Sequence, residues 1–195
     1  MNHVHFGGIK LNKAVTSKEA IIMASKDLVM DSGMHALNIR EVAKRCNASV
    51  GSIYNYFPSK EDLILETVGS IWSEIFQKKG DDISQKDFIS QVEALFKKIK
   101  KGSQKYPFFI SVHGMNFTEA NKSKGREVMN QFFSRIESSL LEGLKKDKNV
   151  NLNIFNEEFT ETDFVRFIFS NIRNLVIEQN ESCKVLLEVI KKIIY

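Results

Sequence analysis

Three helix starts crowd into positions 38 to 62, and this crowding constrains the chain more than any other feature of it. Asn38-x-x-Glu41 pairs a capping side chain with an acid three residues on, the arrangement that satisfies free N–H groups at a helix N-terminus. Ile39, Val42 and Ala43 form the buried stripe of that short helix, which ends near Cys46-Asn47. Asparagine tolerates the left-handed backbone that a tight turn requires. A second short helix runs from about Ser49 to Phe57. Ser59, with Asp62 three residues later, caps a longer one through Trp72 to about Lys79. Two short helices joined by a three- or four-residue turn have the dimensions of a helix-turn-helix, whose second helix enters the DNA major groove.

A helical wheel separates the faces of that second helix. At 100° per residue, Ile53 and Phe57 fall within about 40° of each other and form its anchor. Gly51 and Asn55 lie opposite, with Ser52 close by, and Tyr54 and Tyr56 stand on either side. The outward ridge is therefore narrow and low, flanked by two phenol hydroxyls. Small residues let a helix backbone sink into a groove, an asparagine can pair with a base edge, and tyrosines can reach phosphates on both walls. Lys60 and the free N–H groups at the start of the following helix suit the same backbone. Arg40 is placed to reach across the groove mouth.

The remaining sequence reads as helix throughout. Two prolines and ten glycines among 195 residues are too few to punctuate a many-stranded sheet protein. Thr16 and Glu19 form a capping box ahead of Ile21, Ala24, Leu28 and Val29, and Gly33 sits where a C-terminal glycine belongs. Further helices are expected over about 84–102, from Pro107, over about 124–146, and twice more near the C-terminus, with an Asn-rich loop over 147–158. The expected fold is all-α, about nine helices. Residues 1–62 form a basic arm and a three-helix DNA-binding domain, and 63–195 form a larger helical bundle.

Charge supports that division. The first sixty residues carry eight Lys and Arg against four Asp and Glu, an excess equal to the net charge of +4 for the whole chain. A basic N-terminal third on a neutral body suits a polyanionic partner for that third. Lys10, Lys13 and Lys18 can follow a groove or backbone, or be solvated. No apolar run reaches the ~18 residues of a membrane span, and the N-terminus has no signal-peptide core. Cys46 and Cys183 are far apart, which suits a reduced, cytoplasmic protein. His3 and His5 lack companions for a metal site, and no nucleophile, phosphate-loop or zinc-protease motif occurs. No cofactor, metal or catalytic residue is expected.

The stretch "NIREVAKRCNASVGSIYNYFPSKEDLI", residues 38–64, resembles the DNA-binding signature of the TetR (tetracycline repressor) family of bacterial regulators. The resemblance covers about fifty residues and agrees in spacing and residue type through both helices and into the next. It implies a role for Asn38 as cap and phosphate contact, and for Arg40 at a helix position that can touch a base. Ser49, Val50, Gly51, Ser52 and Asn55 fall on the recognition face, and Tyr54, Tyr56 and Lys60 on backbone contacts. Asn47 replaces the usual turn glycine. Val50 stands where a polar or basic side chain is common, so any contact there is apolar.

The resemblance also implies a ligand cavity in the body and a dimer through the last two helices. The aromatic residues of the middle helices include Trp72, Phe76, Phe96, Phe108, Phe109, Phe117, Phe132 and Phe133, with His113 and Asn116 one turn apart beside them. Most of these can simply be core, and a cavity among them would take a largely apolar effector. The stripe of Val185, Leu186, Val189, Ile190, Ile193 and Ile194 needs cover. Together with Phe167, Ile168, Asn171 and Leu175 it forms the expected interface. The resulting expectation is a homodimeric regulator, a repressor, that binds a palindromic operator and is released by a small molecule. A helical ligand-binding or scaffold protein without DNA affinity is the alternative.

Overall fold

The computed structural model describes residues 16–77, 87–107 and 119–195; side chains are not described for 77, 119–126 and 128. The described residues contain eight α-helices and no strand. They are α1 (Lys18–Ser32), α2 (Ile39–Arg45), α3 (Val50–Tyr54), α4 (Lys60–Gln77), α5 (Phe88–Lys105), α6 (Glu119–Lys146), α7 (Glu161–Ile177) and α8 (Lys184–Ile194). The ninth helix expected from Pro107 falls largely outside the described residues, and α6 is already helical at Glu119, ahead of the expected Lys124.

Local chemistry sets the boundaries. Ser17, not Thr16, caps α1: its side chain accepts from the Ala20 N–H at 3.1 Å, while Thr16 is buried. Both residues can cap, and packing of Thr16 into the fold gives the role to its neighbour. Gly33 closes α1 at φ 77° and Asn47 turns between α2 and α3 at φ 49°, the left-handed region where glycine and asparagine are favoured. Ser59 accepts from the Asp62 N–H at 3.0 Å and opens α4. Asp87 caps α5 and Thr160 caps α7.

α2 packs on both α1 and α3, and α1 also lies along α4. α4 then joins α5 and α6, and α5, α6 and α7 form the centre of the body, with α8 against α5. One continuous core runs from Ile21, Val42, Ile53 and Phe57 through Leu63, Ile71 and Trp72 to Phe88, Phe164 and Ile190. Close approach shapes the centre, since a Cβ on Gly102 would collide with Ile75 and one on Gly143 with Gln91. At the far end Asp147 accepts from the Phe88 N–H at 2.9 Å and from the Tyr195 hydroxyl, which fastens the end of α8 to the start of α5. No helix among the described residues is long and apolar enough to cross a membrane.

Candidate nucleic-acid interface and ligand cavity

α3 is held from both ends and from beneath. The Ser49 side chain accepts from the Ser52 N–H at 3.1 Å, and the Ala48 N–H donates to the Ala43 carbonyl at 2.9 Å across the turn. Ile53 and Phe57 are fully buried, as the wheel requires. Arg40, Ser49, Val50, Gly51, Tyr54, Asn55, Tyr56 and Lys60 are all exposed, and Ser52 is half-buried. A Cβ on Gly51 would meet nothing nearer than the Ser49 hydroxyl at 3.8 Å. Packing within the chain therefore does not demand a glycine there; the low crest belongs to the outward face.

Besides Ser49 at its cap, two more of the expected contact residues carry other duties. The Asn38 side chain accepts from the Glu41 N–H at 3.0 Å and donates to the Ala36 carbonyl at 2.9 Å, so both ends of its amide serve the cap. Tyr56 donates its hydroxyl proton to the Thr16 carbonyl at 2.6 Å and ties the α3–α4 joint to the start of α1. A phosphate contact by Tyr56 requires that this bond be exchanged. The hydroxyl of Tyr54 makes no hydrogen bond among the described residues and needs no exchange. A tie between residues forty positions apart leaves no local trace in the sequence.

Ion pairing sorts the cations of the head. Lys18 pairs with Glu66 at 2.8 Å, Lys26 with Glu74 at 2.7 Å and Arg45 with Asp31 at 2.8 Å, which joins α1 to α4 and to α2. Arg40, Lys44 and Lys60 are exposed and make no ion pair among the described residues. Lys44 lies one turn along α2 from Arg40, so it joins the two cations that the sequence singles out. Their charge is left to a partner such as a phosphate backbone.

In the body, a cavity of about 250 Å³ lies among α4, α5 and α6. Trp72, Phe76 and Phe132 line it together with Leu95, Ile136 and Leu140, and the polar groups on its wall are Ser73, Gln91, Arg135 and Ser139. Phe96 and Phe133 do not line it. Phe96 is buried in the core, and Phe133 meets Trp72 and Phe169 edge-on, with the Arg173 guanidinium 4.7 Å from its ring centre. Phe108, Phe109, His113, Asn116 and Phe117 lie outside the described residues. A wider open trough of about 910 Å³ runs beside the cavity between α1 and α4, sharing Ser73 and Phe132 with it. Two of its cations are matched already, Lys18 by Glu66 and Lys26 by the adjacent Glu74.

Glu74 joins the two parts. It accepts from Lys26 of α1, from Lys105 of α5 at 2.6 Å and from the Tyr106 hydroxyl at 2.8 Å. Burial alone would push its carboxyl up, but the hydrogen bonds from Lys105, Lys26 and Tyr106 outweigh this and bring it down to about 2.

The interface residues expected on the last two helices divide by face. Ile168, Leu186 and Ile190 are buried within the chain's own core and are not available to a partner, because they lie on the inward side of α7 and α8. Val185, Val189 and Ile193, spaced four apart, are exposed, Val185 at 80%. Phe167 is exposed as well, Asn171 donates to the Phe167 carbonyl at 2.8 Å, and Leu175 is half-buried. Ile177 and Tyr195, which the stripe pattern does not mark, are exposed as well.

Comparison with known proteins gives a consistent picture. Residues 21–67 match the family described as "Bacterial regulatory proteins, tetR family". The chain is 25% identical over 124 residues to the HTH-type transcriptional repressor KstR of Rhodococcus jostii, covering 60% of this chain and 58% of that protein. It is 26% identical over 145 residues to the nucleoid occlusion factor SlmA of Vibrio cholerae, covering 70% and 71%. The matches thus span little more than half of one curated relative and under three quarters of the other. Among solved structures, BioQ with its double-stranded DNA operator superposes with a TM-score of 0.66 at 12% identity, covering 91% of this chain and 97% of BioQ. FadR from Bacillus subtilis in complex with stearoyl-CoA superposes at 0.62 and 17%, covering 89% and 95%. At such identities these structures establish a shared fold.

Proposed function

From the premise that this chain belongs to the TetR family of bacterial regulators, we propose that it is a ligand-responsive, DNA-binding transcriptional repressor acting as a cytoplasmic homodimer. One observation carries the reading: α3 and its C-cap present Gly51, Tyr54 and Asn55 outward, internal packing does not demand the glycine, and exposed Arg40, Lys44 and Lys60 on the flanking helices make no ion pair among the described residues. In this reading residues 1–62 are the DNA-binding unit, and 63–195 bind ligand and dimerise. Asn55 reads a base edge, Val50 makes an apolar contact, and Tyr54 and Lys60 hold phosphates.

α4 supplies the mechanism. Its first turn carries Lys60 beside α3, and its far half carries Trp72 and Phe76 on the cavity wall. Eighteen residues make a rod about 27 Å long, so a tilt of roughly 5° at the cavity moves the other end by about 2 Å. Two recognition helices must sit about 34 Å apart to read adjacent major-groove half-sites, and such a shift in each subunit disfavours that spacing. The ligand thus selects between a DNA-competent state and one with the wrong separation. Exposed Val185, Val189 and Ile193, with Phe167, supply the two-fold interface.

The experiment is selection of bound duplexes from a random pool, followed by titration of the selected site at several salt concentrations. A specific palindrome should emerge, with log affinity falling against log[salt] by about 0.9 per phosphate contacted. Binding that shows no sequence preference and no salt slope would reject the reading. Val185→Glu should yield a folded monomer with weakened palindrome binding; an unchanged dimer by sedimentation would move the interface elsewhere.

A further inference from the structure

The cavity wall carries an unbalanced charge. Its ten lining residues include one cation, Arg135, and no carboxylate. Arg135 is exposed at the rim and makes neither ion pair nor hydrogen bond among the described residues. Lys105 by contrast pairs with Glu74, and Arg166 with Glu137. Phe132, Arg135, Ile136, Ser139 and Leu140 project from one face of α6 at helical spacing, so the guanidinium and the Ser139 hydroxyl stand on the same strip as three apolar side chains. The Lys98 ammonium lies 5.6 Å from the ring centre of Phe76, which forms part of the opposite wall.

We infer that the effector is an amphipathic carboxylate, with an aromatic or aliphatic body against Trp72, Phe76 and Phe132 and its carboxylate on Arg135. A planar guanidinium accepts a carboxylate through two parallel hydrogen bonds, and one oxygen of that group can also accept from a serine hydroxyl. Size narrows the class. A space of about 250 Å³ filled at the density of a protein interior holds roughly ten to twelve non-hydrogen atoms, a medium-chain or single-ring acid. This inference rests on the effector reading above and sharpens it, because that reading alone requires only an apolar ligand.

Trp72 is the single tryptophan of the chain and lies on the cavity wall, so its fluorescence reports occupancy without reference to DNA. The full-length protein is titrated with octanoate and 4-phenylbutyrate, and in parallel with octanamide and 4-phenylbutanamide, which match them in size without the charge. The acids should give a saturable change in Trp72 emission and bind at least five-fold tighter than the amides. Arg135→Met, at an exposed position where folding is not at risk, should abolish that difference while leaving amide binding within two-fold. Equal binding of acid and amide, an undiminished preference in Arg135→Met, or no saturable response to either acid overturns the inference. Duplex binding by the ligand-free protein is measured separately. Its absence would sink the regulator reading and leave the fluorescence result standing, so the two failures are distinguishable.

Discussion

α3 is five residues long and buries one of them, Ile53, whereas α7 is seventeen residues long and buries six. A helix of five residues has no stability of its own, since nucleation alone outweighs the few hydrogen bonds it can close. It exists because Ser49 caps it, Asn47 turns into it, α2 packs against it, and Ile53 and Phe57 sit in the common core. Almost everything else on α3 is free to serve the outside. In α7 the proportions reverse: its residues are chosen for the neighbours inside the chain, and only a strip including Phe167 and Ile177 faces out. The contrast teaches that function is displayed where the fold asks least, and that such a surface depends on distant packing to hold its shape.

That dependence can be broken at its root. Trp72→Ala removes the largest fully buried side chain and should cost about 3–5 kcal/mol. Because the core is continuous from head to body, urea unfolding followed by circular dichroism should remain a single transition at a lower midpoint. Two separated transitions would mean that the head is stable without the body, and the contrast would lose its point.

The surface of α3 should behave the opposite way. Asn55→Ala and Tyr54→Ala remove exposed side chains, so their melting temperatures should stay within about 2 °C of wild type. Duplex affinity should nevertheless fall by about 1–3 kcal/mol for the Asn55 change, roughly five- to 150-fold. An equal loss of stability would place these residues in the structural class with α7.

Glu74 sharpens the link between the two regions. Glu74→Gln removes the negative charge and one of the two acceptor oxygens shared by Lys26, Lys105 and Tyr106 and should destabilise by about 1–2 kcal/mol at neutral pH. The folded carboxyl titrates near 2, below its ordinary 4.5, so its contribution is fully present above 4.5 and is lost as pH falls from there through about 2. Thermal melts of the two proteins should therefore converge as pH drops through that window. A gap that persists unchanged to pH 3 would rule out the charge as its source.

The smallest effect is expected at the turn. Asn47→Ala places an alanine at φ 49°, where Cβ is crowded, and should cost about 1 kcal/mol; Asn47→Gly should recover or exceed wild-type stability. If both variants melt alike, backbone strain at Asn47 does not hold α3 in place.

The head is legible in the sequence because its signals are local. Asn38, Ser49 and Ser59 accept from N–H groups three residues on, and a wheel of 100° per residue suffices to put Ile53 inside and Asn55 outside. The same rules place the caps of later helices but fail by one residue at Thr16 and Ser17, two adjacent candidates that only burial distinguishes. They mark the apolar stripe of α8 without separating its sides: Leu186 and Ile190 turn to the core, while Val185, Val189 and Ile193 turn outward.

The sequence by itself thus determined that the described residues are helical, where the short helix α3 lies, and which side chains that helix shows. These properties depend on hydrogen bonds and periodicities that close within four residues. Tertiary structure alone decided which aromatic residues border a cavity and which are core, that Arg135 stands at its rim without an ion pair among the described residues, and that Tyr56 reaches back to Thr16 and Glu74 gathers three helices. Each of these joins groups far apart along the chain. Their meeting is fixed by how whole helices pack, and packing depends on every contact at once.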